Sequence, residues 1–438
     1  EVMLTAAPRR WVDVDEAIAV LNEARCDPPK PVEDSNCGGW LDGVRILDLC
    51  NVIAGPHSVT YLARFGAEVI KLDSALPSYD SGNAVVYGFS HMRGKQSLLA
   101  DIRSVEGQQM LKRIIREIDV VVWNAPDDQI KNLGLDQDSI QAINPDAIFC
   151  KLDCFSGVRP GPRSNYLGYD DLVQAATGIM VRFGGSMETP EEHAHVGTID
   201  VMCGFGGALG VATALYHKLK TGKTLRPCTS LAALSGLLQI PFCHDFSTRG
   251  PFDEPSGRDC QGYNELKRFY RGSCGGYFFL CAQEQDIAKF DLLPPLDKLA
   301  NLRQCDRALF LETTFLSASA RDWQSRLQSV GIGAAFCENI ETLRSENSRA
   351  AGPSAGTNQG SFSFSTYHDH PSGHCVTQLD PYAIRPRRGK IYALTAAEKY
   401  GASTRSVLRD LNYTDAEIDA MIDAGSVSES WSDEYLPS

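Results

Sequence analysis

Two periodicities take turns along this chain. From residue 43, short apolar runs read as strands, and stretches with apolar residues every three or four positions read as helices. Val44-Arg-Ile-Leu-Asp-Leu predicts a strand, followed by a turn at Ala54-Gly55-Pro56 and a helix through Thr60–Phe65. Gly66-Ala-Glu-Val-Ile-Lys-Leu predicts a second strand after a Gly helix stop. A helix around Gly107–Glu117 leads into the strand Asp119–Trp123. A helix near Asp138–Ile143 then precedes the strand Asp146–Leu152. Strands alternating with helices at this spacing imply a parallel, doubly wound sheet.

Outside this block the pattern changes. Asp13 suits the cap of a helix through Glu16–Glu23, and Pro28, Pro29 and Pro31 end it as a stiff linker. A mostly helical section runs from about Tyr169 to Leu238, and the Gly- and Pro-rich stretch Arg249–Gly262 reads as a linker. Gly275-Gly-Tyr-Phe-Phe-Leu-Cys predicts the strand that opens a second, smaller α/β unit, extending to about residue 365. A helix is expected over Asp415–Ala424 with Thr414 as its cap, and the pattern leaves the acidic tail after it unplaced.

Composition narrows the function. A length of 438 residues suggests two or three domains. Forty-two Lys and Arg against 55 Asp and Glu give a net charge of −13, which argues against nucleic acid or an anionic membrane as the main partner. The 14 cysteines form no C-x-x-C, and Cys50, Cys203 and Cys281 sit in apolar runs. They are expected to be small buried hydrophobes in a reducing, cytoplasmic setting. Val201–Tyr216 and Pro227–Cys243 are free of charge but fall short of the ~20 residues a membrane span needs. Arg9, Arg10, Asp13 and Asp15 interrupt any apolar signal-peptide core, and the opening at Glu1 reads as part of a longer chain.

Three features are candidates for chemistry. The first strand–turn–helix, Asn51-Val-Ile-Ala-Gly-Pro-His, holds one Gly where a dinucleotide fingerprint needs three, and no P-loop occurs. His368, His370 and His374 lie among Asp369, Pro371 and Gly373, which favours a polar surface turn over a metal site. Asp200 opens the apolar, Gly-rich run Val201-Met-Cys-Gly-Phe-Gly-Gly-Ala-Leu-Gly. It reads either as a helix N-cap or as a nucleophilic carboxylate beside glycines that admit a backbone or ligand.

Longer segments resemble the family III CoA-transferases, the carnitine and formyl-CoA transferase (CaiB/BaiF) group. They include Leu41-Asp-Gly-Val-Arg-Ile-Leu-Asp-Leu, Val52-Ile-Ala-Gly-Pro, Phe65-Gly-Ala-Glu-Val-Ile-Lys-Leu, Arg93-Gly-Lys-Gln-Ser, Ile118-Asp-Val-Val-Val-Trp-Asn, Gly157-Val-Arg-Pro-Gly-Pro and Gly168-Tyr-Asp, in family order. The resemblance implies a Rossmann-like large domain from residues 41–240 and 380–438, a small α/β domain within 241–379, and an appendage at 1–40. It also implies an interlocked dimer or a companion module, acyl-CoA and a carboxylic acid as substrates, and no metal. Asp200 would attack the thioester to give an aspartyl anhydride and then an aspartyl-CoA thioester.

Coenzyme A contacts carried over by position are Ile53, Ala54, Asp101, Ile102, Arg103, Asn124, Ala125, Gly168, Tyr169 and Asp170. Ser74 and Asn132 stand where relatives carry basic residues, which leaves Lys71, Lys95, Arg103 and Lys131 as candidates for the phosphates. Ile53 replaces the Gln of formyl-CoA transferase and argues against oxalate chemistry. Tyr169 replaces the His of the family's racemases, and a phenol of pKa ~10 is a poor base at neutral pH. Pro8-Arg-Arg-Trp, Thr189-Pro-Glu-Glu-His-Ala-His and the ending Trp431-Ser-Asp-Glu-Tyr-Leu-Pro-Ser resemble the second half of tandem members. Some of these transfer CoA to dimethylsulfoniopropionate and release dimethyl sulfide. In the alternative reading the chain is a non-catalytic module and Asp200 only a cap.

Overall fold

A computed structural model describes residues 38–77, 88–184, 197–240, 245–249, 260–350, 364–380 and 389–432, with 383, 384 and 386. The expected helix at 16–23, the proline linker and most of the 249–262 linker lie outside the described residues.

The large sheet has seven strands. They are β1 (Arg45–Asp48), β2 (Glu68–Asp73), β3 (Gln96–Ala100), β4 (Val120–Trp123), β5 (Ile148–Asp153), β6 (Cys228–Ser230) and a late strand, Val427–Ser428. Their order is Val427–Ser428, β3, β2, β1, β4, β5, β6, and all pair in parallel except Val427–Ser428, which runs antiparallel to β3. Of the tail that the pattern left unplaced, Val427–Ser428 is thus an edge strand, and residues 433–438 lie outside the described residues. Successive residues of each strand face opposite sides, so Leu47 and Val121 enter one core while Ile46 and Val120 enter the other.

Helices α1 (Ala54–Ala63), α2 (Val105–Arg116), α3 (Asp127–Asn132) and α4 (Gln137–Ile143) follow β1, β3 and β4, while α5 (Asp170–Thr177), α6 (Thr198–Thr221) and α7 (Leu231–Leu238) surround β6 in sequence. The expected turn at Ala54-Gly55-Pro56 is instead the first turn of α1. Proline is tolerated there because the first N–H groups of a helix lack intrahelical acceptors.

Helix α6 runs for 24 residues, beyond the charge-free stretch read from the sequence, and by length and composition is long enough to cross a membrane. Here its inner side belongs to the core with Ile199, Cys203 and Val211, while Leu209, Tyr216 and Leu219 are exposed. Glycines on the inner side bring it close to α1. A Cβ on Gly204 would stand 2.9 Å from the Ala54 carbonyl oxygen, and one on Gly207 3.1 Å from Ser58 Cβ.

The smaller sheet is antiparallel, in the order β10 (Gly333–Phe336), β9 (Tyr277–Cys281), β8 (Lys267–Arg271), β7 (Gly262–Asn264). It therefore opens earlier than the expected strand at 275. Helices α8 (Gln304–Phe315) and α9 (Ala320–Ser329) cover one face around Tyr270, Phe278, Phe315 and Trp323. Alternation along β9 turns Phe278 and Leu280 inward, so Cys281 is exposed and not buried as its apolar neighbours suggested. Cys50, Cys150 and Cys203 are buried, whereas Cys228, Cys274, Cys305, Cys337 and Cys375 are exposed.

The hairpin β11 (Phe364–Tyr367) and β12 (Val376–Leu379) is tied to the large sheet, where Asp380 pairs with Arg64 and Arg93. The histidine turn joins its strands, but His370 is buried and stacks on Phe89 with centroids 4.9 Å apart. The C-terminal helices are α11 (Thr404–Asp410) and α12 (Asp415–Asp423), after α10 (Ile340–Ala350) of the smaller unit. Thr414 caps α12 in a capping box with Glu417.

Candidate active site

Neighbouring strands β1 and β4 continue in opposite directions across the sheet, which makes the gap beyond their carboxyl ends the expected ligand crevice. A cavity of about 300 Å³ lies there. Its walls hold Asn51, Ile53 and Ala54 after β1, Asn124 and Ala125 after β4, Asp153 and Cys154 after β5, and Gly168, Tyr169 and Asp200.

Five helices begin at this cavity. Ile53 caps α1, Pro126 caps α3, Tyr169 caps α5, Leu231 opens α7, and Asp200 is the third residue of α6. A helix N-terminus carries a partial positive charge that favours anions by roughly 0.3–1 kcal/mol, although at α6 and α7 Asp170, Cys154 and Ser230 already accept the N–H groups of Asp200, Ala232 and Ala233. None of the described residues lining the cavity is Lys or Arg. Among those walls only backbone N–H groups can contribute positive potential.

Asp200 is buried, and it is not the N-cap of α6. That position belongs to Gly197, in a left-handed conformation. The Asp200 N–H donates to Asp170 Oδ2 at 2.8 Å, so it is already engaged and not aimed at a ligand. The Gln174 amide donates to the other oxygen of Asp170. Burial, then the charges of Asp170 and Asp171, push the Asp200 carboxyl up to about 7. Near neutral pH it is therefore divided between a carboxylate and a protonated acid.

The neighbouring thiols stay protonated. Burial pushes Cys154 up to about 11 and Cys203 further still, and Cys154 Sγ donates to the Gly168 carbonyl at 2.8 Å. Neither thiol is a ready nucleophile near neutral pH.

The loop after β1 is held firmly. Asn124 accepts from the Asn51 N–H at 2.9 Å and donates to its carbonyl at 2.8 Å, a two-point clamp. Val52 has φ +68°, a conformation that costs a β-branched residue on the order of 1–3 kcal/mol. Such strain persists only where surrounding contacts fix it.

Seven of the sequence candidates therefore meet in one cavity: Ile53, Ala54, Asn124, Ala125, Gly168, Tyr169 and Asp200. Asp170 stands behind Asp200. Asp101, Ile102 and Arg103 do not line the cavity. They follow β3 on the same sheet edge, where Gln108 bridges the carbonyls of Ile102 and Leu133. Lys71 and Lys95 are not free to hold phosphates, because both are buried in pairs with Asp73 and Asp48. Arg103 and Lys131 are exposed. The sequence reading missed Cys154 and Asp153, which carry no motif and reach the cavity only through the end of β5. No cluster of three or more His, Cys, Asp or Glu side chains suited to a metal occurs among the described residues.

The sequence profile of CoA-transferase family III matches residues 41–361. The chain belongs to this family. A relative named CoA-transferase/lyase DddD, from Marinomonas sp. strain MWYL1, is 46% identical over all of this chain, which covers 53% of the relative. A succinate–glutarate CoA-transferase from Agrobacterium fabrum is 32% identical over 42% of this chain and 48% of its own length. The chain thus spans about half the length of the DddD relative. A CAIB/BAIF family protein from Brucella suis shares the fold with TM-score 0.69 at 22% identity, over 85% of this chain and all of the other.

Proposed function

We propose that this chain is the catalytic module of a larger CoA-transferase, with Asp200 as nucleophile. The observation that carries this reading is the buried carboxyl of Asp200, poised near neutrality in a cavity where five helices begin. The Asp200 carboxylate attacks the thioester carbonyl of an acyl-CoA, and CoA leaves as its thiolate, giving an aspartyl–acyl anhydride. The thiolate attacks the aspartyl carbonyl and expels the first carboxylate. An incoming acid attacks the resulting aspartyl-CoA thioester, and CoA returns to the acyl group to leave as the new acyl-CoA. Each step passes through an oxyanion, and preorganised N–H donors lower such barriers by on the order of 3 kcal/mol each.

For coenzyme A, we assign Ile53, Ala54, Asn124, Ala125 and Gly168–Asp170 to the reacting end and Asp101–Arg103 to the distal end. Exposed Arg103 and Lys131 are the candidates for its phosphates. For the acceptor we propose dimethylsulfoniopropionate. Likeness to the CoA-transferase/lyase over the whole chain supports it, as does a cavity wall carrying Asp153 and Tyr169, suited to a sulfonium cation. Removal of the proton α to the new thioester then expels dimethyl sulfide and leaves the acryloyl thioester. The relative's greater length and the exposed apolar side of α6 support a companion module. The unpaired cysteines support a reducing cytoplasm.

Incubation with acetyl-CoA, followed by intact mass, tests the nucleophile. The wild type gains a hydroxylamine-sensitive acyl or CoA adduct and Asp200→Asn does not. Absence of the adduct on the wild type favours a non-catalytic module. Dimethyl sulfide evolved from dimethylsulfoniopropionate and acetyl-CoA tests the acceptor, and absence of the gas removes it.

A further inference from the structure

We infer that Lys95 is a positioning residue for the acyl-transfer site, an inference that rests on Asp200 being the nucleophile. Lys95 immediately precedes β3, is wholly buried and does not line the cavity. Its ammonium donates to Asp48 Oδ2 and to the carbonyl of Pro56, both at 2.7 Å. Asp48 ends β1, and Pro56 lies in the first turn of α1. One side chain thereby ties together the two ends of the loop that carries Asn51, Val52, Ile53 and Ala54.

The rest of the loop is fixed in the same frame. The other oxygen of Asp48 accepts the Cys50 N–H at 2.9 Å, and Asn124 clamps Asn51. Val52 sits between these anchors in a left-handed conformation. A residue of that kind relaxes when its surroundings loosen. Ile53 and Ala54 form the cavity wall facing Asp200, and a Cβ on Gly197 would stand 2.9 Å from Ile53 Cδ1. A shift of this loop therefore changes the space over the nucleophile, and misplacement by about an ångström can cost a hundredfold in rate.

Removing Lys95 alone leaves Asp48 as a buried, unpaired carboxylate, which destabilises whatever its role. The informative variant is Asp48→Asn with Lys95→Met. It removes both charges of this pair and leaves the neighbouring buried pair Lys71–Asp73 intact, and the introduced amide still has an oxygen for the Cys50 N–H. The rate constant of adduct formation at saturating acetyl-CoA and the half-saturating concentration are measured with the thermal midpoint. The expected result is a midpoint near that of the wild type, a rate lowered at least tenfold and a half-saturating concentration within threefold. A rate that recovers with stability, or a loss confined to the half-saturating concentration, overturns the inference. Failure of the wild type to form any adduct defeats the nucleophile assignment instead, and this inference with it.

Should the double variant not fold, amide exchange in Lys95→Met decides. Exchange across Cys50–Ser58 should quicken at least tenfold while β8 and β9 keep their wild-type rates. Equal quickening in both regions overturns the inference.

Discussion

Asp170→Asn isolates the contribution of one charge to the reactivity of Asp200. The Asp200 carboxyl stands at about 7 against an ordinary 3.8, a rise worth roughly 4 kcal/mol in favour of the protonated form. Burial is the largest cause, with Asp170 next and Asp171 after it. Asp170 accordingly carries less than half, taken here as about one pH unit or ~1.4 kcal/mol. Asparagine keeps an oxygen for the Asp200 N–H, and the Gln174 amide can turn to match it. In the proposed reaction the carboxylate attacks, so adduct formation in the wild type should rise with pH through about 7 and then level. The variant's midpoint should move down by about one unit, which raises the ionised fraction at pH 6 about fivefold and leaves it nearly unchanged at pH 8.5. Rates of adduct formation by rapid quench and intact mass, between pH 5 and 9, give both midpoints. A midpoint at or above that of the wild type, or an equal loss at every pH, refutes the reasoning.

Asp200→Asn should stabilise the fold at alkaline pH. A carboxyl whose folded pKa lies above its unfolded value holds more protons when folded, so the wild type loses stability as pH rises from about 4 to 7. The midpoint of the variant should exceed that of the wild type at pH 8, and the gap should close near pH 4. Gly204→Ala forces α1 and α6 apart, costing about 1–3 kcal/mol in melting and slowing adduct formation. Asn124→Ala frees both backbone groups of Asn51, at about 1 kcal/mol per hydrogen bond, and should raise the half-saturating acetyl-CoA concentration. Thr414→Ala removes the α12 cap, so it should cost about 1 kcal/mol in denaturant melts without changing the adduct rate.

The α/β alternation was legible where each strand stood between clear helix and turn signals, as β1, β2, β4 and β5 do. Gln96-Ser-Leu-Leu-Ala was not read as a strand: it is nearly as short as β1 and β4 and as buried, but it holds no Val, Ile or aromatic residue to mark it. Val427–Ser428 and β6 were not legible either. With two and three residues, they are strands only by virtue of β3 and β5 beside them. Asp200 stood out through its Gly-rich context, in which Gly204 and Gly207 admit α1 while Gly206 and Gly210 face Leu234 and Pro227. Lys71 and Lys95 looked like phosphate ligands because sequence shows charge and not burial. Only the fold places Asp73 and Asp48 against them.

Where the cavity draws its positive potential has a consequence for divergence. Main chain cannot be deleted by a point substitution, so an alanine scan of the walls would leave the helix N-termini in place. In the proposed reaction, the wall side chains Ile53, Cys154, Leu167 and Tyr169 can then drift to suit a new acid while the helix N-termini are inherited with the fold. Selectivity and reactivity are in this way written in separable parts of the same wall.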